Sequence, residues 1–439
     1  MKVELSYGKR GLLVDLPEEN LTILEPVFMP TLDDEEGAIS KALCHPLGCP
    51  ALKDMVKPSD TVAIAFSDAT RPVPNKRILP IILRELEGVG VRRDRIVLIN
   101  ALGTHRPSPP RELVELLGEK LVREYRVVQH ACDDYDTMAP AGRLSTGKEL
   151  WVNKEYLSAD FKILTGFIEP HFFAGFSGGG KLVFPGLASL ENIKEAHGYE
   201  ILSDARSTWG ITRTNPVWEL LTEGAELTAP DFVVNVTLNR EKAITGVFAG
   251  ELRAVHARGV EHARRTAMRA VANPFDVVIT TNSGYPLDRN VYQTVKGISA
   301  AAGIVREGGA IIAAAECVDG IPVGSHYHKL LEMAKTPKRA LELIASPGFS
   351  MPDQWQVQLQ AEAQMRADVY LYSDHLLLDE IRTVMSKPCH SIEETLADLM
   401  RMFGGDARIC VLPEGPQTIP YIDPDRAGEG CLAPPGNFR

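Results

Sequence analysis

Residues 61–72 read TVAIAFSDATRP, a run of small and branched apolar side chains that ends abruptly in polar ones. The apolar part, 61–66, is continuous rather than alternating, which is typical of a strand buried on both faces of a parallel sheet. The polar part, which contains Asp68 and Arg71, follows the carboxyl end of that strand. The stretch therefore predicts a central strand of an α/β sheet with polar groups at its end.

The same pattern recurs along the chain, with amphipathic helix-like segments between the runs, as in doubly wound α/β proteins. The further runs are RIVLIN (95–100), FKILTGFI (161–168), DFVVNVTL (231–238), FDVVITT (275–281), GAIIAAAE (309–316), DVYLYS (368–373) and ARICVLP (407–413). We expect two doubly wound α/β domains with mostly parallel sheets and an active-site cleft between them. A helix predicted over 251–273 separates an N-terminal domain of residues 1–270 from a C-terminal domain of residues 271–439.

Composition narrows the classes of partner and the compartment. A net charge of −11 over 439 residues argues against a surface for nucleic acid or for an anionic membrane. The chain shows neither a signal peptide nor an apolar run long enough to span a bilayer. Cys44, His45 and Cys49 lie close together in CHPLGC, but the second ligand pair of a structural zinc site is missing. We therefore expect reduced thiols and a cytoplasmic protein.

Polar residues follow several of the predicted strands at the end where open α/β sheets bind ligands. Each of them alone has a plain structural explanation, such as a capping histidine, an Arg71–Asp68 pair or a solvated lysine. Their joint occurrence at strand ends favours a functional site. The candidates are Asp68, Arg71, His105, His171, Lys181, Gln293 and Lys296.

GFSGGGKLVFPG, residues 175–186, nearly matches a nucleotide phosphate loop. Leu182 stands where that loop needs a hydroxyl for magnesium, so the stretch does not match a magnesium–nucleotide triphosphate site. Successive glycines such as Gly178 and Gly179 allow positive φ and can present backbone N–H groups to another anion. No nicotinamide-dinucleotide fingerprint is present, and the spacing of His171 and His197 alone does not predict a metal site.

Taken together, these motifs resemble the nickel-dependent lactate racemase family in their order and spacing. The resemblance extends by motif from Val62 to Trp355, and its most specific part is EPHFFAGFSGGGK. The motifs are SDATRP, GTHRP, EPHFFAGFSGGGK, AHG, YPLDRNVYQTVKG and DQW. Gly180 and Leu182 depart from the family pattern, in which lactate-specific members have an arginine before the lysine.

The resemblance implies a nickel-pincer nucleotide, a pyridinium mononucleotide with two sulfur donors, bound covalently to Lys181, with His197 as the nickel ligand. It also implies His105 and His171 as acid/base catalysts. The remaining implied positions are Asp68, Gly178, Gly179 and Tyr292 toward the cofactor, and Arg71, Gln293, Lys296 and Trp355 toward the substrate.

The implied reaction is racemisation or epimerisation of a small 2-hydroxy acid by hydride abstraction, through a 2-keto acid. Cofactor-making enzymes are the implied cellular partners. Two alternatives remain open on the residues alone: a nicotinamide-type oxidoreductase, and an α/β protein that binds a phosphate ligand without racemase activity.

Overall fold

The computed structural model describes residues 1–423 and residue 425. All eight apolar runs form strands, and the fold class expected from them is confirmed. The strands are β1 (Lys2–Leu5), β2 (Leu12–Asp15), β3 (Leu21–Ile23), β4 (Val62–Ser67), β5 (Ile96–Ala101), β6 (Arg126–Gln129), β7 (Met138–Arg143), β8 (Glu149–Asn153), β9 (Phe161–Phe167), β10 (Pro170–His171), β11 (Gly175–Phe176), β12 (Phe232–Leu238), β13 (Ile244–Gly250), β14 (Met268–Val271), β15 (Phe275–Thr281), β16 (Val305–Ala314), β17 (Ala367–Tyr372), β18 (Lys387–Pro388), β19 (Ile409–Leu412) and β20 (Ile419–Ile422).

Helices separate most of these strands, as parallel connections require. The helices are α1 (Glu35–Cys44), α2 (Leu52–Met55), α3 (Asn75–Val89), α4 (Pro110–Leu117), α5 (Glu119–Glu124), α6 (Lys154–Ser158), α7 (Leu190–Ala196), α8 (Tyr199–Leu202), α9 (Pro216–Leu227), α10 (Leu252–Ala267), α11 (Val291–Ala302), α12 (His326–Ala334), α13 (Pro337–Ile344), α14 (Gln354–Arg366), α15 (Leu378–Thr383) and α16 (Ile392–Phe403). Within the described residues, no helix is long and apolar enough to cross a membrane.

The chain divides into two units. The N-terminal unit comprises Phe28–His197 and Asp204–Arg264, and the C-terminal unit comprises Met1–Val27, Gly198–Ser203 and the residues from Arg265 onward. The predicted single boundary at residue 270 assigns residues 1–27 and 198–203 to the N-terminal domain. In the structure, these residues group with the C-terminal unit.

The N-terminal unit contains a six-stranded sheet with the order β13-β12-β9-β4-β5-β6. β12, β9, β4, β5 and β6 are parallel, and β13 closes one edge antiparallel to β12. Every residue of β4 is buried, which is the physical reason for its uninterrupted apolar sequence. Helices on the sheet complete a core to which α3 contributes Ile78, Leu79 and Ile82.

The C-terminal unit contains a second six-stranded sheet, entirely parallel, with the order β18-β17-β16-β15-β19-β3. β3 belongs to it because Leu21–Ile23 pairs with β19. The hairpin of β1 and β2 covers one face of this sheet, where Val3 and Leu5 pack in one cluster with Ile279. The first 27 residues therefore join the C-terminal unit through contacts that span most of the chain.

The helix predicted over 251–273 is too long. α10 ends at Ala267, and Met268–Val271 forms β14, which pairs in parallel with β20 from Met268↔Ile419 onward. The partner strand lies about 150 residues away in the sequence, so no local pattern could indicate that the helix stops there. Tertiary pairing overrides helix propensity in such segments.

Two helix glycines provide a test of the packing in the N-terminal unit. At Gly224 in α9 a Cβ atom would lie 2.5 Å from Phe184 Cδ1, whereas at Gly88 in α3 no atom lies within 4 Å. Alanine favours a helix over glycine by roughly 1 kcal/mol, and overpacking costs about 1–3 kcal/mol. We expect Gly88→Ala to raise the free energy of unfolding slightly and Gly224→Ala to lower it. Guanidinium titrations followed by circular dichroism measure both, and equal effects would contradict the packing.

Candidate active site

The site in the N-terminal unit lies where the strand order of its sheet reverses. β5 and β6 extend to one side of β4, and β9 and β12 extend to the other. Ligands of open α/β sheets bind at such a switch point, beyond the carboxyl ends of the strands. The segments that follow β4, β5 and β9 carry Asp68 and Arg71, His105, and His171 and Lys181, respectively.

Asp68 and His105 form a hydrogen-bonded pair. His105 Nδ1 lies 2.8 Å from Asp68 Oδ2, and the Thr70 hydroxyl donates to Asp68 Oδ1 at 2.7 Å. Burial raises the pKa of Asp68, but the hydrogen bonds from His105 and Thr70 and the charge of Arg71 together hold it below its usual value. A carboxylate acceptor places the hydrogen on His105 Nδ1, so the neutral ring carries its lone pair on Nε2. This tautomer can accept a proton from a substrate.

His171 shows the opposite arrangement. It lies in a short hairpin in which His171 of β10 pairs with Gly175 of β11, and its side chain is buried. The Ala174 backbone N–H donates to His171 Nδ1 at 3.3 Å. The lone pair is therefore on Nδ1, and the neutral ring carries its hydrogen on Nε2. This tautomer can donate a hydrogen bond through Nε2 to a substrate oxygen.

Lys181 lies in a 3₁₀ turn, Gly179–Leu182, that follows the glycine loop. Gly178 and Gly179 have φ values of 79° and 54°, a region that only glycine occupies readily. The Gly179 N–H donates to Asn235 Oδ1 at 2.8 Å. The sequence suggested N–H groups gathered around an anion, whereas in the structure this N–H has a protein partner and shapes the loop.

Gly180, the residue before Lys181, packs closely against α9. A Cβ atom there would lie 2.8 Å from Ala225 Cβ and 3.3 Å from the Leu221 carbonyl oxygen, both on α9. An approach of 2.8 Å is closer than real Cβ atoms come to another atom, and 3.3 Å is already tight. The loop therefore rests directly on α9, and an arginine at this position would require the turn or the helix to shift.

The amine of Lys181 is desolvated. Burial, together with the positive charge of Arg71, lowers the pKa of Lys181 to about 7. Its Nζ lies 5.4 Å from the centroid of the Phe173 ring. About half of the molecules therefore carry a neutral amine at pH 7, and a neutral amine is the nucleophilic form of lysine.

His197 lies at the C-terminal cap of α7, the helix that Ser189 caps at its start. The ring is buried, and Nδ1 donates to the Ile193 carbonyl oxygen at 2.7 Å. Burial and the charge of Lys181 lower the pKa of His197 to about 3, against the opposing effect of the hydrogen bond to Ile193. The ring is thus neutral, with its lone pair on Nε2, as a metal ligand requires.

Contacts and charges link six of the eight predicted residues of this unit: Asp68, Arg71, His105, His171, Lys181 and His197. The Phe173 ring lies edge-on to both His171, at 4.4 Å between centroids, and His197, at 4.9 Å. Arg71 forms an ion pair with Glu169 at 3.6 Å and acts electrostatically on both Asp68 and Lys181. Among the described residues, no group of three or more His, Cys, Asp or Glu side chains is arranged to hold a metal ion.

The other four predicted residues lie in the C-terminal unit, where they contact one another in pairs. Lys296 Nζ donates to Gln293 Oε1 at 2.8 Å on the first turns of α11. The Tyr292 hydroxyl accepts from the Trp355 side chain and donates to Asp353 Oδ1 at 3.3 Å. Burial and the negative charge of Asp353 raise the pKa of Tyr292, so this hydroxyl stays protonated. The cofactor and substrate roles of these four residues stay predictions.

Two buried polar residues beside the lysine were not predicted. His256 Nε2 donates to the Ser177 carbonyl oxygen at 3.0 Å, and Asn235 accepts from Gly179 as described above. Burial and the charge of Lys181 lower the pKa of His256 to about 4. A signal for each is present in the sequence: Asn235 interrupts an apolar strand, and His256 lies four residues after Leu252 on the apolar face of α10.

Two family models match the chain, the lactate racemase N-terminal domain over residues 7–210 and the lactate racemase C-terminal domain over residues 270–419. Lactate racemases of Thermoanaerobacterium thermosaccharolyticum and Lactiplantibacillus plantarum are 33% and 34% identical to it, over 95% and 94% of this chain and 98% of each relative. The chain belongs to the lactate racemase family. The resemblance read from the motifs is confirmed, and with it the assignment to the isomerases.

The fold of this chain also matches those of solved structures. The lactate racemase apoprotein of T. thermosaccharolyticum, 32% identical, superimposes with a TM-score of 0.89 over 96% of this chain and 100% of that one. A protein of Thermotoga maritima, 20% identical, matches with a TM-score of 0.65 over 90% of this chain and 100% of that one, which supports the fold alone.

The low pKa of Lys181 predicts unusual reactivity in the cofactor-free chain. With limiting acetic anhydride, Lys181 should reach its half-maximal rate of acetylation near pH 7, because protonation below that pH removes the nucleophile. Ordinary lysines are neutral in only about one molecule in 2,500 at pH 7. Arg71→Gln should move the Lys181 profile to higher pH, since it removes a charge that lowers the pKa.

Peptide mass spectrometry across a pH series measures these rates. Lys148, whose side chain is 63% exposed, serves as the internal control. Identical profiles for Lys181 and Lys148 would contradict the desolvated amine.

Proposed function

We propose that this chain is a racemase or epimerase of a small 2-hydroxy acid that works with a covalently bound nickel-pincer nucleotide. One observation carries the proposal: a lysine with a nucleophilic amine lies in the same buried region as a neutral, ligand-competent histidine. Two further histidines of complementary tautomer belong to the same group of residues. Family membership supports the reaction type.

The residues present fit the cofactor. Lys181 would form the covalent bond, because burial lowers the pKa of its amine to about 7 and makes the neutral, nucleophilic form accessible near neutrality. His197 would be the protein ligand of nickel through Nε2, since Nδ1 is engaged by Ile193. Gly178 and Gly179 would allow a close approach of the nucleotide to the backbone. Asp68 and Tyr292 are proposed as further cofactor contacts.

Two histidines would transfer protons to and from the substrate oxygen. When bound, the cofactor supplies the chemistry of taking and returning the Cα hydrogen as hydride. His105, with its lone pair on Nε2, would accept the hydroxyl proton of one enantiomer, and the ionised Asp68 would stabilise the resulting imidazolium. His171 would return a proton to the substrate oxygen on the other side from its imidazolium form, which it reaches by taking up a proton from solvent on Nδ1 in place of the hydrogen bond from Ala174, while His105 releases its proton to solvent. The roles exchange for the opposite enantiomer.

The substrate carboxylate would bind Arg71. A guanidinium accepts a carboxylate in two parallel hydrogen bonds, and such a pair is stronger than the 3.6 Å contact that Arg71 makes with Glu169. Gln293, Lys296 and Trp355 are proposed as further substrate contacts. Lactate is the first substrate to test, because the relatives of this chain are lactate racemases by name. We place the protein in the cytoplasm, with the enzymes that make the cofactor.

Mass spectrometry tests the proposed covalent bond between Lys181 and the cofactor. After co-expression with cofactor-making enzymes, the peptide that contains Lys181 should carry a nucleotide-sized adduct, and the protein should contain one nickel per chain. Lys181→Ala should lose both, while His197→Ala should keep the adduct and lose most of the nickel. An unmodified Lys181 in the wild-type protein would refute the proposal and favour a phosphate-binding or nicotinamide-dependent alternative.

If the two histidines act as acid/base catalysts, their removal should sharply reduce turnover without preventing attachment of the cofactor to Lys181. His105→Ala and His171→Ala should each reduce the interconversion of D- and L-lactate by roughly 100-fold or more, the usual contribution of a general acid or base. The Lys181 adduct should remain, because neither histidine bonds to the lysine in the structure. Chiral chromatography of product measures the interconversion. A variant that is loaded and fully active would contradict the assignment of that histidine.

A further inference from the structure

His256 lies on α10 beneath the loop that carries Lys181, and the reaction outlined above makes no use of it. The ring is buried and neutral, and it meets the loop at two points. Nε2 donates to the Ser177 carbonyl oxygen at 3.0 Å. A Cβ atom on Gly179 would lie 2.8 Å from His256 Cδ2. The imidazole therefore forms part of the surface on which the glycine loop rests.

We propose that His256 is a positioning residue that holds the loop Ser177–Gly180 in place and so presents Lys181 to its covalent partner. The inference rests on the proposed role of Lys181. It concerns a group that acts through the loop rather than one that touches substrate or cofactor.

The loop is held from three sides, each by a different element. Asn235 of β12 accepts the Gly179 N–H at 2.8 Å. α9 closes the space beneath Gly180 with Ala225. His256 of α10 supplies the third contact, to Ser177. Of the three, only the histidine donates a hydrogen bond to the loop, so it satisfies a backbone carbonyl that turns inward.

Ser177 transmits this contact to the end of β9. Its N–H donates to the Glu169 carbonyl oxygen at 2.8 Å, and its hydroxyl donates to the Phe167 carbonyl oxygen at 3.0 Å. The Glu169 N–H donates to the Ser177 hydroxyl oxygen at 3.0 Å. Because all of these are short local bonds, movement of Ser177 would disturb the segment that carries Glu169 as well as the lysine turn.

A purely apolar role for the ring does not account for the geometry. Leucine would fill a similar volume beside Trp218, whose ring centroid lies 5.6 Å from that of His256. It would leave the Ser177 carbonyl oxygen buried without its donor, which is costly in a protein interior. A glutamine, in contrast, can place an amide N–H near the position of Nε2. The pair of substitutions therefore separates donation from volume.

The experiment compares His256→Leu with His256→Gln. The control is His262→Leu on the same helix, where the ring packs against Phe248 at 5.6 Å between centroids. Hydrogen exchange of the peptide over residues 177–182 is measured in the cofactor-free protein. The fraction of chains with a Lys181 adduct is measured after co-expression with the cofactor-making enzymes.

In His256→Leu, exchange of this peptide should rise about tenfold, as expected for the loss of one buried hydrogen bond. The adduct fraction should fall several-fold. His256→Gln and His262→Leu should stay within about twofold of the wild type in both measurements. Exchange in β4 and β9 should be unchanged, which distinguishes a local loss from general destabilisation.

The proposal would be overturned if His256→Leu showed the same hydrogen exchange and the same adduct fraction as the wild type. It would also be overturned if His256→Gln changed both measurements as much as His256→Leu does. If His256→Leu does not fold, His256→Phe, which keeps a ring without a donor, replaces it in the same comparison. If the wild-type chain carries no adduct, the proposed function fails. The exchange measurements still decide whether His256 holds the loop.

Discussion

The burial of one amine is the constraint on which the candidate site depends. Lys181 emerges from a turn that is pressed against α9, Asn235 and His256, and its ammonium form is disfavoured there by desolvation and by Arg71. The positive charge of Lys181, in the molecules in which the amine is protonated, also disfavours protonation of His197 and His256. Burial is the main reason why both imidazoles are neutral, and the charge of Lys181 adds to it. The arrangement holds nucleophile and metal ligand in their reactive states together.

The hydrogen-bond partners of the histidines divide their chemistry. His105 donates to a carboxylate, His171 accepts from a backbone N–H, and His197 donates to a backbone carbonyl. Each partner selects a tautomer, and each tautomer suits a different task. Residue type alone does not distinguish the three rings. Their roles follow from the elements that surround them: a strand-end loop, a two-residue hairpin and a helix terminus.

Sequence reasoning succeeded where local pattern and burial coincide. The eight continuous apolar runs are strands because buried parallel strands leave no face for polar side chains. It failed where a strand owes its existence to a distant partner, as in Met268–Val271, in Leu21–Ile23 and in β13. The candidate residues followed from motif order. Asn235 and His256 were missed because a single polar residue on an apolar face is ordinary in any core.

The fold class, the family and the residue types at the strand ends can be predicted from the sequence, since they depend on periodicity and on motifs that are contiguous in the chain. The reason why these loop positions are glycines emerges only in the tertiary structure. From the sequence, Gly178, Gly179 and Gly180 suggested a cradle for an anion. In the fold, close contacts with Asn235, His256 and Ala225 leave no room for side chains, and one N–H is already bonded. Packing distances between segments far apart in the chain set that role, and no local pattern encodes them.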